Sequence, residues 1–260
     1  MLSCLVLDIG NTNAHFAIWR AGSLFWQGHL ATRAPDNEII AFVQSELHNA
    51  LQNADIFPLR CMYSSVSQQF GEHFSKIAEQ TLQCRIERLT YRESPLQLCY
   101  AHPERLGTDR IANATAAFHH CSNGAIVIDM GTATHFDIVS PAGEFLGGPI
   151  APGISACREA FLRSAPHLAD QLSFDAPSVV AQNTLDALSA GQLFYAVGGI
   201  QYIIQEIKKS VHFHPSCILT GGNGAVFEPY LRDIDMFLPT LTLEGLALIC
   251  CRNAETVSTG

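Results

Sequence analysis

Leu5-Val-Leu-Asp-Ile-Gly10 and, 121 positions further on, Ile126-Val-Ile-Asp-Met-Gly131 are two versions of one phrase: an apolar run, a carboxylate, one more apolar residue and a glycine. The same shift lays Ala21-Gly22 over Ala142-Gly143. Similarity at a fixed offset is the mark of an internal repeat. Between these anchors each copy reads as an apolar strand, a polar loop (Asn11-Thr-Asn13, then Thr132-Ala-Thr134), a second strand, a glycine turn and a third strand. Each half therefore opens with a β-meander.

Beyond each meander the pattern changes to alternating helix and strand. The hydrophobic spacing predicts helices over 37–51 and 69–82 with strands over 59–64 and 84–89, then helices over 154–163, 184–209, 224–231 and 242–252 with a strand over 216–219. This is an α/β chain of two lobes, each a mixed sheet flanked by helices, facing one another across a cleft. The boundary falls near Cys121 to Gly124, giving lobes over 1–122 and 123–260.

Composition narrows the function. With 260 residues, 48% of them apolar and 15% charged, the chain can bury a substantial core. Lys and Arg number 15 against 24 Asp and Glu, a formal net charge of −9. That is the wrong sign for a protein held to nucleic acid by phosphate contacts, so an anionic ligand must be met by a few local donors. Nine cysteines with no C-x-x-C pair argue against a disulfide framework or a zinc ribbon and for a reducing cytoplasm. The apolar opening from Leu2 to Leu7 has no basic flank and runs into Asp8, so it reads as a buried strand and not a signal peptide. The uncharged stretch from Ala187 to Gln205 is about as long as a membrane span, but its glutamines and glycines favour a buried core helix and no membrane.

Asp8-Ile-Gly-Asn-Thr-Asn13 places a carboxylate at a strand end, then a glycine that frees the backbone to turn, then three short side chains with donors. Such a loop suits a phosphate tail and its metal, with backbone N–H groups and the Asn and Thr side chains on phosphate oxygens and Asp8 on Mg²⁺. It also suits an ordinary hairpin turn. Asp129-Met-Gly-Thr-Ala-Thr134 repeats it with Thr132 and Thr134 as hydroxyl donors. Gly-Lys never occurs and no G-x-G-x-x-G follows a strand, which excludes the P-loop and Rossmann modes. Leu219-Thr-Gly-Gly-Asn-Gly224 is either a turn that a nucleotide base approaches closely or a plain strand-to-helix connection.

Tyr100-Ala-His-Pro-Glu-Arg-Leu-Gly107-Thr-Asp-Arg110 leads into Ile111, Ala114 and Phe118 at helical spacing, which places Asp109 and Arg110 in the first turn of a helix. Thr108 or Asp109 can cap it. Arg110 there opposes the helix dipole, a cost that a nearby anion would offset. His119-His120 and His212-Phe-His214 lack further ligands at metal spacing, and Cys250-Cys251 fit a closing apolar helix as small core residues.

Taken together, Asp8 to Asn13, Tyr100 with Gly107 to Arg110, Asp129 to Thr134, Gly147-Gly-Pro-Ile-Ala-Pro-Gly153 and Thr220-Gly-Gly-Asn223 closely resemble, in order and spacing, the type III pantothenate kinases. That family belongs to the fold superfamily of acetate and sugar kinases, Hsp70 and actin, so the resemblance implies two duplicated actin-like (ribonuclease H-like) lobes. It also implies transfer of the ATP γ-phosphoryl group to the primary hydroxyl of pantothenate, the first step of coenzyme A synthesis, in a cytoplasmic homodimer using Mg²⁺ and a monovalent cation, K⁺ or NH₄⁺. By matching position, Asp109 is the base. Tyr100, Gly107, Thr108, Asp109 and Arg110 hold pantothenate. Asp8, Ile9, Gly10, Asn11, Thr12, Asn13, Ala14, His15 and Thr132 bind ATP, with Asp8 on Mg²⁺ and Asp129 on K⁺. Thr184 looks like the family's threonine that reaches pantothenate from the partner subunit. Arg110 can pair with the pantothenate carboxylate or with a phosphoryl oxygen. His15 and His135 depart from the residues common at their positions. A rival of another class is a non-catalytic ATP-binding regulator of the same fold, and a second is a kinase for another small hydroxylated acid.

Overall fold

The computed structural model describes residues 3–54, 60–165 and 178–257. In chain order the first elements are β1 (Ser3–Ile9), β2 (Asn13–Arg20), β3 (Ser23–Ala31), α1 (Asp36–Phe42), a π-helical turn (Val43–Leu47), α2 (His48–Ala54), β4 (Arg60–Ser65), α3 (Gln68–Leu82), β5 (Glu87–Arg88), β6 (Gln97–Leu98) and α4 (Thr108–His120). They are followed by β7 (Ala125–Met130), β8 (Ala133–Val139), β9 (Glu144–Gly147), β10 (Ile150–Pro152), α5 (Ile154–Ser164), α6 (Thr184–Ser210), β11 (Ser216–Thr220), α7 (Gly224–Phe227), β12 (Met236–Phe237) and α8 (Leu241–Val257).

The chain forms two compact units. One comprises Met1–His120, Gly143–Leu146 and Thr240–Gly260, and the other comprises Cys121–Ala142 and Gly147–Pro239. Residues 143–146 and the closing helix, which the sequence assigns to a lobe over 123–260, thus pack with the first unit. The reason for α8 is tertiary: it packs on α4, β1 and β4, all from the first 120 residues.

In the first unit the sheet order is β3-β2-β1-β4-β5, with β1 antiparallel to β2 and parallel to β4. The period of two along β1 sends Leu5, Leu7 and Ile9 into a core with Ile39, Phe42 and Val43 of the first helical stretch and Phe74 and Ile77 of α3. Cys4 and Val6 therefore point to the opposite face, where Cys4 meets α8 at Ala247. Two expected elements change in detail. A π turn interrupts the helix expected over 37–51. The strand expected over 84–89 shrinks to Glu87–Arg88, because the Ile86 N–H donates to the Glu79 carboxylate (2.8 Å) and is lost to the ladder. Leu59, the first residue of the expected strand 59–64, lies outside the described residues.

In the second unit β7 is antiparallel to β8 and parallel to β11, β11 is parallel to β12, and β10 is antiparallel to β8. One face buries Ile126, Ile128, Met130, Phe136, Cys217 and Leu219 against α6. The turn expected to continue as helix to residue 231 becomes a 3-10 turn at Glu228–Tyr230, where Pro229 has no N–H to donate. Helix α6 departs from the expected buried core helix. Leu193, Val197, Ile200, Ile204 and Ile207 are buried, while Tyr195 is 83% and Tyr202 64% exposed. By length and composition alone this helix could cross a membrane.

The duplication is visible in the backbone. Gly22 and Gly143, 121 positions apart, hold the left-handed turns after the second strand of each copy with φ of 83° and 78°. A side chain would be strained in either.

Candidate active site

In the first unit Asp8 stands at the end of β1, opposite His15 of β2 and beside Ser64 of β4, while His15 in turn faces His29 of β3. A row Ser64–Asp8–His15–His29 crosses the sheet. In the second unit Asp129 of β7 stands opposite His135 of β8 and beside Thr220 of β11, and His135 faces Ile150 of β10. The order hydroxyl, aspartate, histidine recurs. The two histidines that stand out in the sequence are thus counterparts. A 121-residue shift pairs His15 with Phe136, because the first loop holds three residues (10–12) and the second only two (131–132).

Both loops are hairpin turns, closed by Gly10 N–H donating to the Asn13 carbonyl and by Gly131 N–H donating to the Ala133 carbonyl, each at 3.0 Å. Asn11, Thr12 and Asn13 are exposed and Ala14 is buried. Thr32, which the sequence does not flag, fastens the first loop: its hydroxyl donates to the Gly10 carbonyl (2.8 Å) and its N–H to the Thr12 carbonyl (2.8 Å). The Ile9 carbonyl accepts from the Ser65 hydroxyl at 3.2 Å. With these tethers the loop keeps its shape while its side chains stay available to a ligand. Partial burial of the ring and the His29 imidazole 5.6 Å away hold His15 below its ordinary pKa.

The second cluster of this unit begins at α4. Thr108, its first residue, shares a 2.9 Å hydrogen bond with the fully buried Ser64 hydroxyl. Ser64 therefore joins the strand beside Asp8 to the helix that carries Asp109. The Asp109 Oδ1 accepts the Arg110 N–H at 2.9 Å. A Cβ at Gly107 would meet that oxygen, so glycine there lets the Asp109 carboxylate hold this position. Arg110 is 96% buried, and its guanidinium lies 5.6 Å over the ring of Phe145, which is 6.1 Å from the ring of Tyr100. This cation–π contact contributes to keeping a cation in the first turn of a helix. Phe145 on β9 is brought to Tyr100 through β6, which runs parallel to β9, and the Cys99 N–H donates to the Phe145 carbonyl (3.0 Å).

In the second unit His135 bridges two carboxylates, with Nδ1 3.1 Å from Asp137 and Nε2 3.4 Å from Asp129. Asp137 is completely buried. The glycine-rich segments serve these groups: at Gly221, with φ of 88°, a Cβ would overlap Asp129 and Met130, and at Gly153 it would overlap the Thr132 carbonyl. Asn223 donates its N–H and its Nδ2 to the Met130 carbonyl at 3.0 and 3.2 Å. That ties the turn after β11 to the end of β7. Thr132 is exposed, whereas Thr134 is buried in the sheet. Thr184 is exposed at the start of α6, whose N-cap Asn183 accepts the Asp186 N–H at 2.9 Å. Among the described residues there is no group of three or more His, Cys, Asp or Glu able to hold a metal.

The sequence misses Ser64, Thr32, Phe145 and Asp137. Ser64, Thr32 and Phe145 act through partners far along the chain, so no local pattern marks them, and Asp137 sits two residues from His135 without a motif that singles it out; the signal nearest to one is the hydroxyl at or next to the end of β4 and β11.

Comparison with known proteins bears on the family and the fold. A family model described as type III pantothenate kinase matches residues 4–206. A type III pantothenate kinase of Myxococcus xanthus is 30% identical over 253 residues, covering 96% of this chain and 98% of that one. Among solved structures, a protein of Campylobacter jejuni described as a Baf family transcriptional activator superposes with a TM-score of 0.60 at 25% identity, over 96% of this chain and 99% of that one. Component A of the (R)-2-hydroxyglutaryl-CoA dehydratase of Acidaminococcus fermentans superposes with a TM-score of 0.59 over the whole of both chains at 11% identity, a likeness of fold alone. With a family model over most of its length and a full-length relative at this identity, the chain belongs to the type III pantothenate kinase family.

Proposed function

We propose that the protein transfers the γ-phosphoryl group of ATP to the primary hydroxyl of pantothenate, giving 4'-phosphopantothenate, the first step of coenzyme A synthesis, in the cytoplasm. The observation that carries this is Ser64, whose backbone pairs with the Asp8 strand and whose hydroxyl holds Thr108, so that one compact unit supplies both a phosphate-type loop and the Asp109 cluster. Asp8, Ile9, Gly10, Asn11, Thr12, Asn13, Ala14 and His15, with Thr132, bind ATP. Tyr100 and residues 107–110 bind pantothenate. Asp109 orients the hydroxyl and accepts its proton.

The transition state of phosphoryl transfer is loose, so positioning the hydroxyl matters more than the strength of the base. The rigid link from Ser64 to Thr108 and the stack of Tyr100, Phe145 and Arg110 fit that requirement. The hard carboxylate of Asp8, beside exposed amide and hydroxyl donors, fits Mg²⁺, which when bound supplies neutralising charge to the phosphate oxygens. Asp129 lies against the backbone turn at Gly221 and, among the described residues, belongs to no group of three or more His, Cys, Asp or Glu able to hold a metal, so it suits a monovalent cation such as K⁺ or NH₄⁺ better than a divalent one.

Turnover tests this directly: ATP is consumed only with pantothenate and Mg²⁺ present, and 4'-phosphopantothenate accumulates in equal amount. Pantothenate-independent hydrolysis without that product would favour a regulator of the same fold, and turnover of a different hydroxylated acid would reassign the substrate. Exchanging K⁺ for Na⁺ at fixed ionic strength lowers the rate, and Asp129→Ala removes the difference; equal rates of the unmodified protein in both ions would refute the cation site.

The same proposal places the site in a homodimer. On α6 the exposed positions Gly191, Tyr195, Gly198 and Tyr202 follow alternating steps of four and three residues, one stripe of a helix, and the glycines open onto empty space. A second copy of the helix suits such a stripe. Thr184 at its start then serves the partner's pantothenate. Asp109→Asn and Thr184→Arg, each inactive alone, regain about one quarter of full activity when mixed and allowed to exchange, because about half the dimers are mixed and each of these has one intact site of two. No recovery despite demonstrated exchange would put Thr184 outside a shared site.

A further inference from the structure

Five of the nine cysteines lie in or beside the strands and helices of the first unit: Cys4 on β1, Cys61 on β4, Cys84 just after α3, and Cys250 and Cys251 on α8. All nine are thiols. Three pairs approach closely, and Cys4 is shared by two of them, because its thiol hydrogen-bonds both Cys250 and Cys251. The sulfurs of Cys61 and Cys84 are 3.5 Å apart and those of Cys4 and Cys251 are 3.8 Å apart.

We propose that Cys61 and Cys84 form a site of reversible disulfide modification, in which Cys84 meets the oxidant and Cys61 resolves it. Cys84 is partly exposed and Cys61 is 95% buried directly behind it. Cys84 follows Gln83, the left-handed residue that ends α3, and lies in a connection without regular hydrogen bonding, so its side chain can close the remaining gap to the bonded distance of about 2.05 Å. The hydrogen bond between the two sulfurs favours a thiolate on Cys84, and the same bond, together with burial, pushes the Cys61 thiol up. An accessible sulfur that ionises first beside a shielded resolving thiol is the arrangement of redox-responsive cysteines.

With a hydroperoxide as oxidant the chemistry balances. The Cys84 thiolate attacks one peroxide oxygen, an S–O bond forms as O–O breaks, and the departing hydroxide takes up a proton as water. Cys61 then gives up its proton and attacks the Cys84 sulfur; the S–S bond forms as S–O breaks, and the second oxygen leaves as water. Two thiols are oxidised by two electrons in all, and one hydrogen peroxide is reduced to two waters.

Cys4 and Cys251 are the competing pair, and the Cys251 thiol is drawn down to about 7, first by its hydrogen bond with Cys4. Cys4, however, is fully buried in β1, held between β2 and β4, and cannot shift toward its partner without breaking two ladders. The Cys61 side chain shares its sheet face with Leu5, opposite to the face of Asp8 and Ser64, so the modification lies away from the loop that the proposed reaction uses.

The test uses the full-length protein. It is treated with a small excess of hydrogen peroxide, remaining thiols are alkylated, and peptides are mapped by mass spectrometry with and without dithiothreitol. The expected result is a Cys61–Cys84 linked peptide, two hydrogens lighter than its parts, that forms before any other link and is lost on reduction. In Cys61→Ser the link is absent and Cys84 is trapped as sulfenic acid by dimedone. A link from Cys4 to Cys250 or Cys251 that forms first, a link between chains, or oxidation of Cys84 beyond sulfenic acid in the unmodified protein without a link to Cys61 would each overturn the proposal.

Discussion

Asp109→Asn lowers kcat by roughly two or more orders of magnitude while the melting temperature stays within a few degrees of the parent. The carboxylate has one job seen in the structure and one that the proposed reaction assigns to it, and the substitution separates them. Its Oδ1 accepts the Arg110 N–H, and the amide oxygen of asparagine can take that bond over, so the first turn of α4 is kept. In the proposed reaction it also accepts the proton of the pantothenate hydroxyl, which a neutral amide does far less well. Thr108 remains anchored to Ser64 in the variant, so loss of rate reflects the missing acceptor and not a displaced helix. Steady-state kinetics with a thermal melt on the same sample decide the matter: a nearly full rate would make Asp109 a structural residue only.

The largest loss of stability is expected where α8 crosses α4. At Gly245 a Cβ would fall onto the backbone carbonyl of Ala112, which is main chain and has no other rotamer to adopt. The contact occurs between two helices that also share a 2.7 Å hydrogen bond from the Thr242 hydroxyl to Asn113, and a 2.9 Å contact between His120 and Glu244. Gly245→Ala must either part the helices or bend one of them, at a cost of about 3 kcal/mol or more. For a chain of this size that is a fall in Tm on the order of 10 °C. A differential scanning experiment that finds the variant as stable as the parent would show that α4 and α8 do not pack this closely. Because α4 carries Asp109, the destabilised protein should also lose activity on mild heating well before the parent does.

The repeated strand–Asp–x–Gly phrase, the meander that opens each half, and most helices were legible because each is a pattern within a few neighbouring residues. The period of two along β1 and the period near 3.6 along α3 and α6 are local properties of the chain. The departures have local physical causes that pattern alone does not weigh. Ile86 leaves its ladder because a glutamate seven residues earlier takes its N–H, and α6 presents a tyrosine–glycine stripe to solvent where an uncharged sequence suggests burial on all sides.

By itself, then, the chain's order of residues determined the duplicated α/β plan, the two acidic loops, the Tyr100 to Arg110 cluster and the family they resemble. What stands beside Asp8 was decided only in three dimensions. Ser64 and Thr220 stand beside the two aspartates on equivalent strands but lie 156 residues apart, not 121, because the segments between differ in length, so no single shift superposes them. The match of His15 with His135 depends likewise on a loop one residue shorter, and the stacking of Arg110 on Phe145 on the pairing of β6 with β9. Cross-strand neighbours are set by the register of backbone hydrogen bonds between distant segments, and that register is a property of the folded sheet as a whole.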